Sequence, residues 1–365
     1  MSTSADIVII GGGIAGISAA ARLAPDARVI VLEREAHLAY HSTGRSAAVF
    51  ILNYGNATLR ALNKASVGDM QGALLGQSVL SPRGELLMVR PGEEAHRAAF
   101  LQGASGVDVL TPAQACAIVP ALKPASFESA IHEADAQDID VDRLLQGCAR
   151  LARDAGAEIV VNAGVIELSR TGDTWQVQTQ GATYSAPVVI NAAGAWADQL
   201  GQMAGCAAIG LQPKRRSAVM MALPDNVDAR HWPVIGSISE DWYAKPDGTR
   251  LMISPADEDP VAAQDAWPDD MVLAEGLYRF EQMVDLPIVK PSHSWAGLRS
   301  FVADKTPVCG FDPEQDGFFW LAGQGGYGVQ TSPALSQLTA DLVLGRDTVL
   351  DGPVVSALSP ARLAN

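Results

Sequence analysis

The sequence predicts an α/β protein in which antiparallel segments interrupt a discontinuous α/β domain. Two observations lead to this fold class. Segments of the form apolar strand, turn and helix occur at the start, the middle and the end of the chain, near residues 7–33, 141–196 and 318–340. Between them, residues 211–256 contain apolar runs flanking a turn of the type that joins antiparallel strands. The 365 residues suffice for two such domains.

The first α/β unit carries a dinucleotide fingerprint. The apolar run Ile7–Ile10 precedes a glycine turn, an alanine-rich helix and a second apolar run that ends at Glu33. Gly11, Gly13 and Gly16 fit G-x-G-x-x-G, which serves a tight turn, close approach to a pyrophosphate and a close helix–strand contact. Glu33 follows about 20 residues later, where a carboxylate accepts hydrogen bonds from ribose hydroxyls. A glycine turn without a ligand fits this context less well.

The next loop, residues 40–48, contains hydroxyl groups and small residues that open a helix. Such a loop offers backbone N–H groups to an anion or lets a flat ring approach closely. In the middle unit, an apolar helical face from Leu144 to Leu151 ends near Gly156, and short strands follow. Small residues at 191–196 come just after a buried strand, as a cofactor crossing the sheet edge requires.

The inserted segments have signals of their own. Thr111 and Pro112 predict a capped helix start, and Pro246–Thr249 predicts a hairpin turn. A helix is expected over Met271–Met283. The last apolar strand, Phe318–Ala322, leads into a second glycine-rich junction with a helix.

Composition excludes several classes of protein. The net charge of −15 argues against nucleic-acid binding. The four cysteines are widely spaced, so we expect neither a disulfide framework nor a metal site. Residues 1–5 carry no basic residue, so we expect no signal peptide, and no segment has 18 consecutive apolar residues. We therefore expect a cytoplasmic protein with no integral membrane segment.

Taken together, several of these segments resemble the D-amino-acid oxidase superfamily of FAD oxidoreductases, and most nearly the bacterial FAD-dependent D-arginine dehydrogenases. The segments are residues 11–16, 41–48, 191–196, 213–217, 295–300 and 324–328. The resemblance implies non-covalent FAD, a glutathione-reductase-like Rossmann domain and an antiparallel sheet that roofs the flavin. A single fingerprint also argues against a separate nicotinamide site.

We expect the FAD-binding domain at 1–49, 139–210 and 296–365, and an α+β substrate domain at 50–138 and 211–295. The expected cofactor-binding residues are Gly11, Gly13, Ile14, Ala15, Gly16, Glu33, Arg34, Ser42, Thr43, Arg45, Ser46, Ala47, Ala48, Val165, Ala193, Gly194, Trp196, Gly325, Gly326, Tyr327, Gly328, Val329 and Gln330. His41 is expected to be structural.

For the substrate, the resemblance implies that Arg216 and Arg299 hold a carboxylate, which guanidinium groups bind in two-pronged fashion. A structural ion pair is the alternative role for Arg299, and Lys214 or Arg215 is an alternative inward residue to Arg216. The resemblance implies that Tyr54 and Tyr243 cover the substrate; a half-buried ring with its hydroxyl in water is the alternative for each. Gly326 is expected to lie beside the flavin.

Glu85 is implied to pair with the distal cation of a basic substrate; a solvated glutamate or a pair with Arg83 is the alternative. One departure matters. The D-arginine type has histidine, tyrosine and threonine where this chain has Val49, Phe50 and Ile51. This wall is apolar here, so the pocket is expected to accept apolar as well as basic substrates.

The expected function is FAD-dependent oxidative deamination of D-amino acids to 2-keto acids and ammonium, by hydride transfer from the α-carbon to flavin N5. A quinone or similar acceptor is expected to reoxidise the flavin, and an oxidase is not excluded. Alternatives within the superfamily are a sarcosine- or glycine-type amine oxidase and a 2-hydroxy-acid oxidoreductase. In the sarcosine branch a cysteine holds FAD covalently, but the residues around Cys309 are typical of a strand end, so we expect non-covalent FAD. A non-catalytic flavoprotein or RNA-modification partner is the alternative from another class.

Overall fold

The computed structural model describes residues 2–363. The strands are β1 (Ser2–Ser4), β2 (Ile7–Ile10), β3 (Val29–Leu32), β4 (Val49–Phe50), β5 (Leu80–Pro82), β6 (Glu85–Val89), β7 (Asp108–Leu110), β8 (Ser129–Glu133), β9 (Gln137–Ile139), β10 (Glu158–Val160), β11 (Val165–Thr171), β12 (Thr174–Thr179), β13 (Thr183–Ala186), β14 (Val188–Asn191), β15 (Gln212–Ala222), β16 (Val234–Ser237), β17 (Tyr243–Asp247), β18 (Arg250–Ser254), β19 (His293–Phe301), β20 (Val308–Phe311) and β21 (Phe318–Ala322). The α-helices are α1 (Ile14–Leu23), α2 (Ala57–Gly68), α3 (Glu94–Leu101), α4 (Pro112–Ile118), α5 (Val141–Asp154), α6 (Ala197–Met203), α7 (Asp270–Met283), α8 (Gly328–Val343) and α9 (Gly352–Leu358).

A six-stranded sheet forms the first layer, in the order β10-β3-β2-β14-β21-β20. Its strands are parallel except for β20 at one edge. Ile7 and Ile9 join the core formed with helices α1, α5 and α8, whereas Val8 and Ile10 join the core against a second sheet. Because both faces of β2 are covered, the strand is an unbroken apolar run instead of an alternating one.

The second sheet has four strands in the order β1-β13-β12-β11 and covers the other face of the six-stranded sheet. The sequence predicts short strands in this region, and β11 and β12 pair as an antiparallel hairpin. It did not predict β13 or the parallel pairing of β1 with β13. Both strands are short, and Thr183 and Ser185 point to the less buried face, so no apolar run announces them.

A third, eight-stranded sheet has the order β19-β15-β18-β17-β16-β6-β8-β7. On β6, Leu86 and Met88 pack into a core with helices α4 and α7, whereas Glu85 and Leu87 face a cavity. On β15, β17 and β18, Ala218, Tyr243 and Met252 line the cavity, and the residue that follows each of them packs into the same core. One face of this sheet is therefore a core face, and the other forms the roof of a site.

Local predictions in this half of the molecule are confirmed. Thr111 and Gln114 form a reciprocal capping box at the start of α4. Strands β17 and β18 pair as the predicted antiparallel hairpin around Gly248. The predicted helix over Met271–Met283 is α7, which starts one residue earlier.

The division into domains stays a prediction, and the sheets support it. Residues 1–49, 139–210 and 296–365 supply all strands of the six-stranded sheet. Strand β19 crosses the expected boundary at residue 295, and β4 pairs with β9 where the chain passes between the two parts. In the described residues, no helix combines the length and apolarity needed to cross a membrane.

Candidate active site

A cavity of about 750 Å³ lies between the six-stranded sheet and the roof face of the eight-stranded sheet. Its lining runs from the glycine turn after β2, through the loop at 40–48, to side chains of the roof. The glycine turn lies at the edge of the six-stranded sheet where the carboxyl ends of its parallel strands meet. Sheets of this kind bind ligands at that edge.

Close backbone packing forms the turn after β2. Gly11 has φ +120°, and a Cβ on it would lie 2.3 Å from the carbonyl oxygen of Ala192. A Cβ on Gly16 would lie 2.0 Å from the carbonyl oxygen of Gly11, so α1 packs directly on this turn. Gly13 is more open, with Thr43 Oγ1 at 3.3 Å from such a Cβ. The fingerprint predicts these features: a tight turn at Gly11, open space for a pyrophosphate at Gly13, and a close helix–strand contact at Gly16.

Glu33 lies at the end of β3 and is only 7% exposed. Its Oε2 accepts a hydrogen bond from the Gly12 amide at 2.6 Å, and its Oε1 accepts from the Glu35 amide at 2.8 Å. Two backbone donors thus fix the carboxylate at the cavity wall, and each oxygen keeps further acceptor capacity. The sequence did not identify Gly12 or Glu35 as the residues that hold it.

An aromatic cluster lies beside Glu33. The Arg34 guanidinium carbon is 4.6 Å from the ring centroid of Trp196, and the His41 ring is 4.7 Å from the same ring. His41 Nε2 lies 2.9 Å from Glu35 Oε1. His41 also lines the cavity, in addition to the structural role expected for it.

Hydrogen bonds to the start of helix α1 and to strand β19 hold the loop at 42–48. Thr43 Oγ1 accepts from the Ile14 amide at 3.1 Å, and Ser42 Oγ donates to the Leu298 carbonyl at 2.6 Å. Arg45 donates to the Ala296 carbonyl at 2.9 Å and to Asp265 at 2.6 Å. The Arg45 guanidinium therefore joins the loop to the roof, although the residue lines the cavity.

At the second glycine junction, the chain passes close to β19. A Cβ on Gly325 would lie 2.2 Å from the Phe301 ring, and one on Gly326 would lie 2.8 Å from Arg299 Nη1. Helix α8 begins at Gly328. Tyr327 packs behind Tyr54 with ring centroids 4.7 Å apart, and it does not line the cavity.

The register of β15 with β19 places the two arginines on the roof. Arg216 pairs with Gly297 and Lys214 pairs with Arg299, so Arg216 and Arg299 lie on the same face of the sheet. Both line the cavity, whereas Arg215 binds Asp257 and Asp259 outside it. Lys214 shares the face of Arg216 but binds Glu258 at 3.0 Å and does not line the cavity, so Arg216 is the inward residue of the three.

The two arginines differ in how fully they are satisfied. Arg216 Nε donates to the Asp257 carbonyl at 2.8 Å, and its Nη2 lies 3.3 Å from Glu258 Oε1. Within residues 2–363, the one hydrogen bond of the Arg299 guanidinium is a 3.4 Å contact from Nη1 to Tyr54 Oη. Arg299 is therefore not in the structural ion pair that was its alternative role.

The tyrosines Tyr54 and Tyr243 face these guanidinium groups, and both line the cavity. Burial raises the pKa of Tyr54. Burial alone would also raise the pKa of Tyr243, but the positive charges of Arg299 and Arg216 outweigh it and lower that pKa. The Tyr243 hydroxyl is therefore a stronger hydrogen-bond donor than an ordinary phenol.

Glu85 lies on the roof face of β6 and is 9% exposed. Its carboxyl group has no hydrogen bond or ion pair among the described residues, and it lines the cavity. The alternative pair with Arg83 is wrong, because Arg83 Nε donates to Asp138 at 2.7 Å. Burial, with smaller effects from Glu133 and Glu240, raises the pKa of Glu85 to about 8.

Glu133 lies directly opposite Glu85 in the β6–β8 pair. Unlike Glu85, its carboxylate is satisfied: it accepts from the Leu52 amide at 2.9 Å and from Asn53 Nδ2 at 2.7 Å. Of these two facing acids, only Glu85 lacks a partner.

A family model described as DAO, FAD dependent oxidoreductase, matches residues 6–342. The chain belongs to this family. Glycine oxidase of Geobacillus kaustophilus is 25% identical over 95% of this chain and 94% of its own length. The family assignment confirms the resemblance to the D-amino-acid oxidase superfamily, while the nearer likeness to D-arginine dehydrogenases stays a prediction.

Solved structures agree on the fold. The crystal structure of that glycine oxidase has a TM-score of 0.83 at 24% identity and covers 97% of this chain and 98% of its own. An L-proline dehydrogenase from P. horikoshii has a TM-score of 0.85 at 22% identity, with coverage of 99% and 98%. An L-alpha-glycerophosphate oxidase from Mycoplasma pneumoniae, solved with FAD bound, has a TM-score of 0.85 at 16% identity, with coverage of 95% and 99%.

The residues of this FAD-dependent oxidoreductase fit the cofactor. The cavity is long enough to be lined at one end by the glycine turn and Glu33 and at the other by the roof arginines. All residues expected to bind cofactor or substrate line it, except Gly16 and Tyr327, which lie directly behind it. None of the four cysteines lines the cavity, and Cys309 is buried against Thr339, so the geometry offers no thiol for a covalent link.

The apolar wall is only partly as expected. Val49 and Ile51 line the cavity, but Phe50 is buried in the core that contains residues of α1, α2, α5 and α8. The Gln330 side chain holds this segment, because its Oε1 accepts from the Ile51 amide at 3.1 Å and its Nε2 donates to Asn63 at 2.7 Å.

Sequence reasoning missed several lining residues. Phe100, Leu87 and Glu240 face the cavity, and none belongs to a recognisable motif. Leu87 follows from the period of β6 once the inward position of Glu85 is known. Glu240 lies in a turn between β16 and β17, where the sequence gives no sign of its direction. Among residues 2–363, no group of three His, Cys, Asp or Glu side chains is placed to bind a metal ion.

Proposed function

We propose that this protein oxidises D-amino acids to imino acids, which water then hydrolyses to 2-keto acids and ammonium, with a preference for substrates whose side chain ends in a cation. One observation carries the proposal. Arg216 and Arg299 line the same cavity as the buried, unpartnered carboxyl group of Glu85. Bound FAD supplies the acceptor for the hydride that leaves the substrate Cα.

The arginines bind the substrate carboxylate. Arg299 is the main ligand, because its guanidinium has several free N–H groups and only one long hydrogen bond. Arg216 adds the N–H groups that Asp257 and Glu258 leave free. Tyr243, whose pKa is lowered, donates its hydroxyl to the same carboxylate. This clamp fixes the position of Cα, and positioning of this kind supplies much of an enzyme's rate gain.

No side chain is needed as a general base at the α-amine. Val49 and Ile51 form an apolar wall in the cavity. The amine instead loses its proton to water before Cα–H is broken. We expect the rate of cofactor reduction to rise with pH through the pKa of the bound amine, and a rate independent of pH would contradict this step.

Glu85 binds the distal cation. A buried carboxyl group without a partner is costly when ionised, which is why its pKa is about 8. A guanidinium or ammonium group placed beside it would remove that cost. The substrate therefore spans the roof, with its carboxylate at β15 and β19 and its cation at β6.

The test is anaerobic reduction of bound FAD, followed by loss of its visible absorbance. The panel contains D- and L-arginine, D- and L-leucine, D-lysine, glycine, sarcosine and D-lactate. D-arginine and D-lysine are expected to reduce the cofactor fastest, and L-arginine at least about 100-fold more slowly. Reduction by the L-enantiomers at equal rates would overturn the proposed stereochemistry.

A glycine- or sarcosine-type amine oxidase is the second candidate, favoured by the end-to-end similarity to glycine oxidase. Glycine and sarcosine have no side chain that could reach Glu85. Fast reduction by these substrates, unchanged by Glu85→Gln, would favour this candidate.

The electron acceptor is proposed to be a quinone or similar compound rather than oxygen. Stopped-flow mixing of the reduced enzyme with air-saturated buffer tests this directly. Slow reoxidation in air and fast reoxidation by a soluble quinone are expected, and the reverse order would identify an oxidase.

A further inference from the structure

Glu240 lies in the turn between β16 and β17, and its side chain lines the cavity. The residue is exposed, so it stands where the cavity meets solvent. Its carboxylate has no hydrogen bond or ion pair with any part of the chain that the structure describes; only its amide is bonded, to the Ser237 carbonyl. Its charge acts on Tyr54, Glu85 and Arg299.

The turn that carries Glu240 is held firmly from behind. The Asp241 amide donates to Ser237 Oγ at 3.0 Å, and Arg90 donates to Asp241 Oδ2 at 2.7 Å and to Ser239 at 2.8 Å. Arg279 of α7 donates to the Asp241 carbonyl at 3.1 Å. These contacts satisfy the neighbours of Glu240 and leave its own carboxylate free.

Glu240 also has φ +57°, in the left-handed region that non-glycine residues seldom occupy. Strain of this kind persists only when the surrounding structure imposes it, and it is concentrated at functional sites. Here it turns the carboxylate toward the cavity.

Two unpartnered carboxyl groups therefore face the same end of the cavity, Glu85 inside and Glu240 at its mouth. Glu85 is more than nine-tenths buried and lacks a partner, which points to a ligand of opposite charge. We propose that Glu240 is a specificity-determining residue that, together with Glu85, selects amino acids whose long side chain ends in a cation.

This inference rests on the proposed function and assigns Glu240 a separate part in it. Glu85 binds the cation of the substrate side chain inside the cavity. Glu240 attracts it at the mouth and disfavours anionic side chains, which would meet two carboxylates there.

The test uses holoenzyme with Glu240→Gln and Glu240→Gly, assayed by anaerobic reduction with D-arginine, D-leucine and D-glutamate. Glycine relieves the left-handed conformation, so this variant should fold at least as well as the parent. We expect kcat/KM for D-arginine to fall about fivefold, as for loss of one partly exposed charge pair. D-leucine should change less than about twofold, and D-glutamate should improve.

Salt dependence provides a second measurement. In the parent enzyme, kcat/KM for D-arginine should fall as ionic strength rises, and Glu240→Gln should weaken that slope. The control is Glu275→Gln: Glu275 binds Arg279 next to the same turn but does not line the cavity, so the slope should stay unchanged.

Equal losses for D-arginine and D-leucine, or no change for D-arginine, would overturn the role of Glu240. If D-leucine reduces the parent enzyme while D-arginine is unaffected by either variant, the oxidation of D-amino acids stands and only this inference fails. If no D-amino acid reduces the parent enzyme, the proposed function itself fails.

Discussion

The two ends of the cavity are built in opposite ways. At the nucleotide end, polar groups already have partners: Glu33 accepts from two backbone amides, and Thr43 accepts from the Ile14 amide. At the roof end, Glu85 and Glu240 have no partner for their carboxyl groups among residues 2–363, and Arg299 has one long contact there. The first end is preorganised for one fixed ligand. The second keeps ionisable groups without partners, which a substrate of opposite charge would complete, so we expect selectivity to reside there.

The largest expected effect is at the nucleotide end. Gly16→Ala would place a Cβ 2.0 Å from the Gly11 carbonyl oxygen, and this backbone atom of the turn cannot rotate aside as a side chain could. We expect purified protein that retains no FAD. The FAD content per chain, from absorbance after heat release, measures this.

Gly181→Ala is the control, because a Cβ there meets nothing within 4 Å. It should retain full FAD. Retention of FAD by Gly16→Ala would show that the turn can move, and the nucleotide end would not be the rigid region described here.

At the roof end, Arg299→Met is expected to lower kcat/KM by about 1000-fold for all amino-acid substrates, since it removes a buried charge-assisted clamp. FAD content should be unchanged. The control is Arg215→Met, which makes the same substitution at an arginine that faces away from the cavity and binds Asp257 and Asp259. A similar loss in both variants would place the carboxylate clamp elsewhere.

Much of this contrast could be predicted from the sequence. The glycine turn, Glu33 and the strands around them follow from local patterns, because a tight turn and a fully buried strand each require particular residues. The inward position of Arg216 instead of Arg215 depends on the register of β15 with β19. The direction of Glu240 depends on hydrogen bonds from Arg90 and Arg279, which lie far away in sequence. Contacts of this kind leave no local signal.

The unsatisfied state of Glu85 predicts a pH dependence of stability. Its pKa in the folded protein, about 8, lies above its usual 4.5. The protonated group is therefore favoured by folding. The contribution of protonated Glu85 to the free energy of unfolding is fully present below pH 4.5 and is lost as pH rises through about 8.

Glu85→Gln removes the decrease in stability that ionisation of Glu85 causes, because glutamine does not ionise. We expect the variant to gain stability over the parent between pH 5 and pH 9, on the order of 4 kcal/mol in the free energy of unfolding. Urea unfolding of both proteins across this range gives the difference. A constant difference across that range would mean that Glu85 is ionised and satisfied in the folded protein.

The smallest effect is expected at Tyr54, whose hydroxyl accepts from Arg299 over a long 3.4 Å contact. Tyr54→Phe keeps the ring that covers Tyr327 and should lower kcat/KM about threefold, as for loss of a weak hydrogen bond. Steady-state kinetics with D-arginine and D-leucine should show equal losses, because the contact acts on the carboxylate clamp and not on the side chain of the substrate.

The central claim is that the unpartnered carboxyl group of Glu85 selects a distal cation. The most direct measurement is single-turnover reduction of bound FAD by D-arginine and by D-leucine, in the parent enzyme and in Glu85→Gln. We expect Glu85→Gln to lower the ratio of the reduction rate constant to Kd for D-arginine by about 100-fold, because the variant loses a buried charge pair with the substrate. The ratio for D-leucine should stay the same or rise. An equal change for both substrates would contradict the central claim.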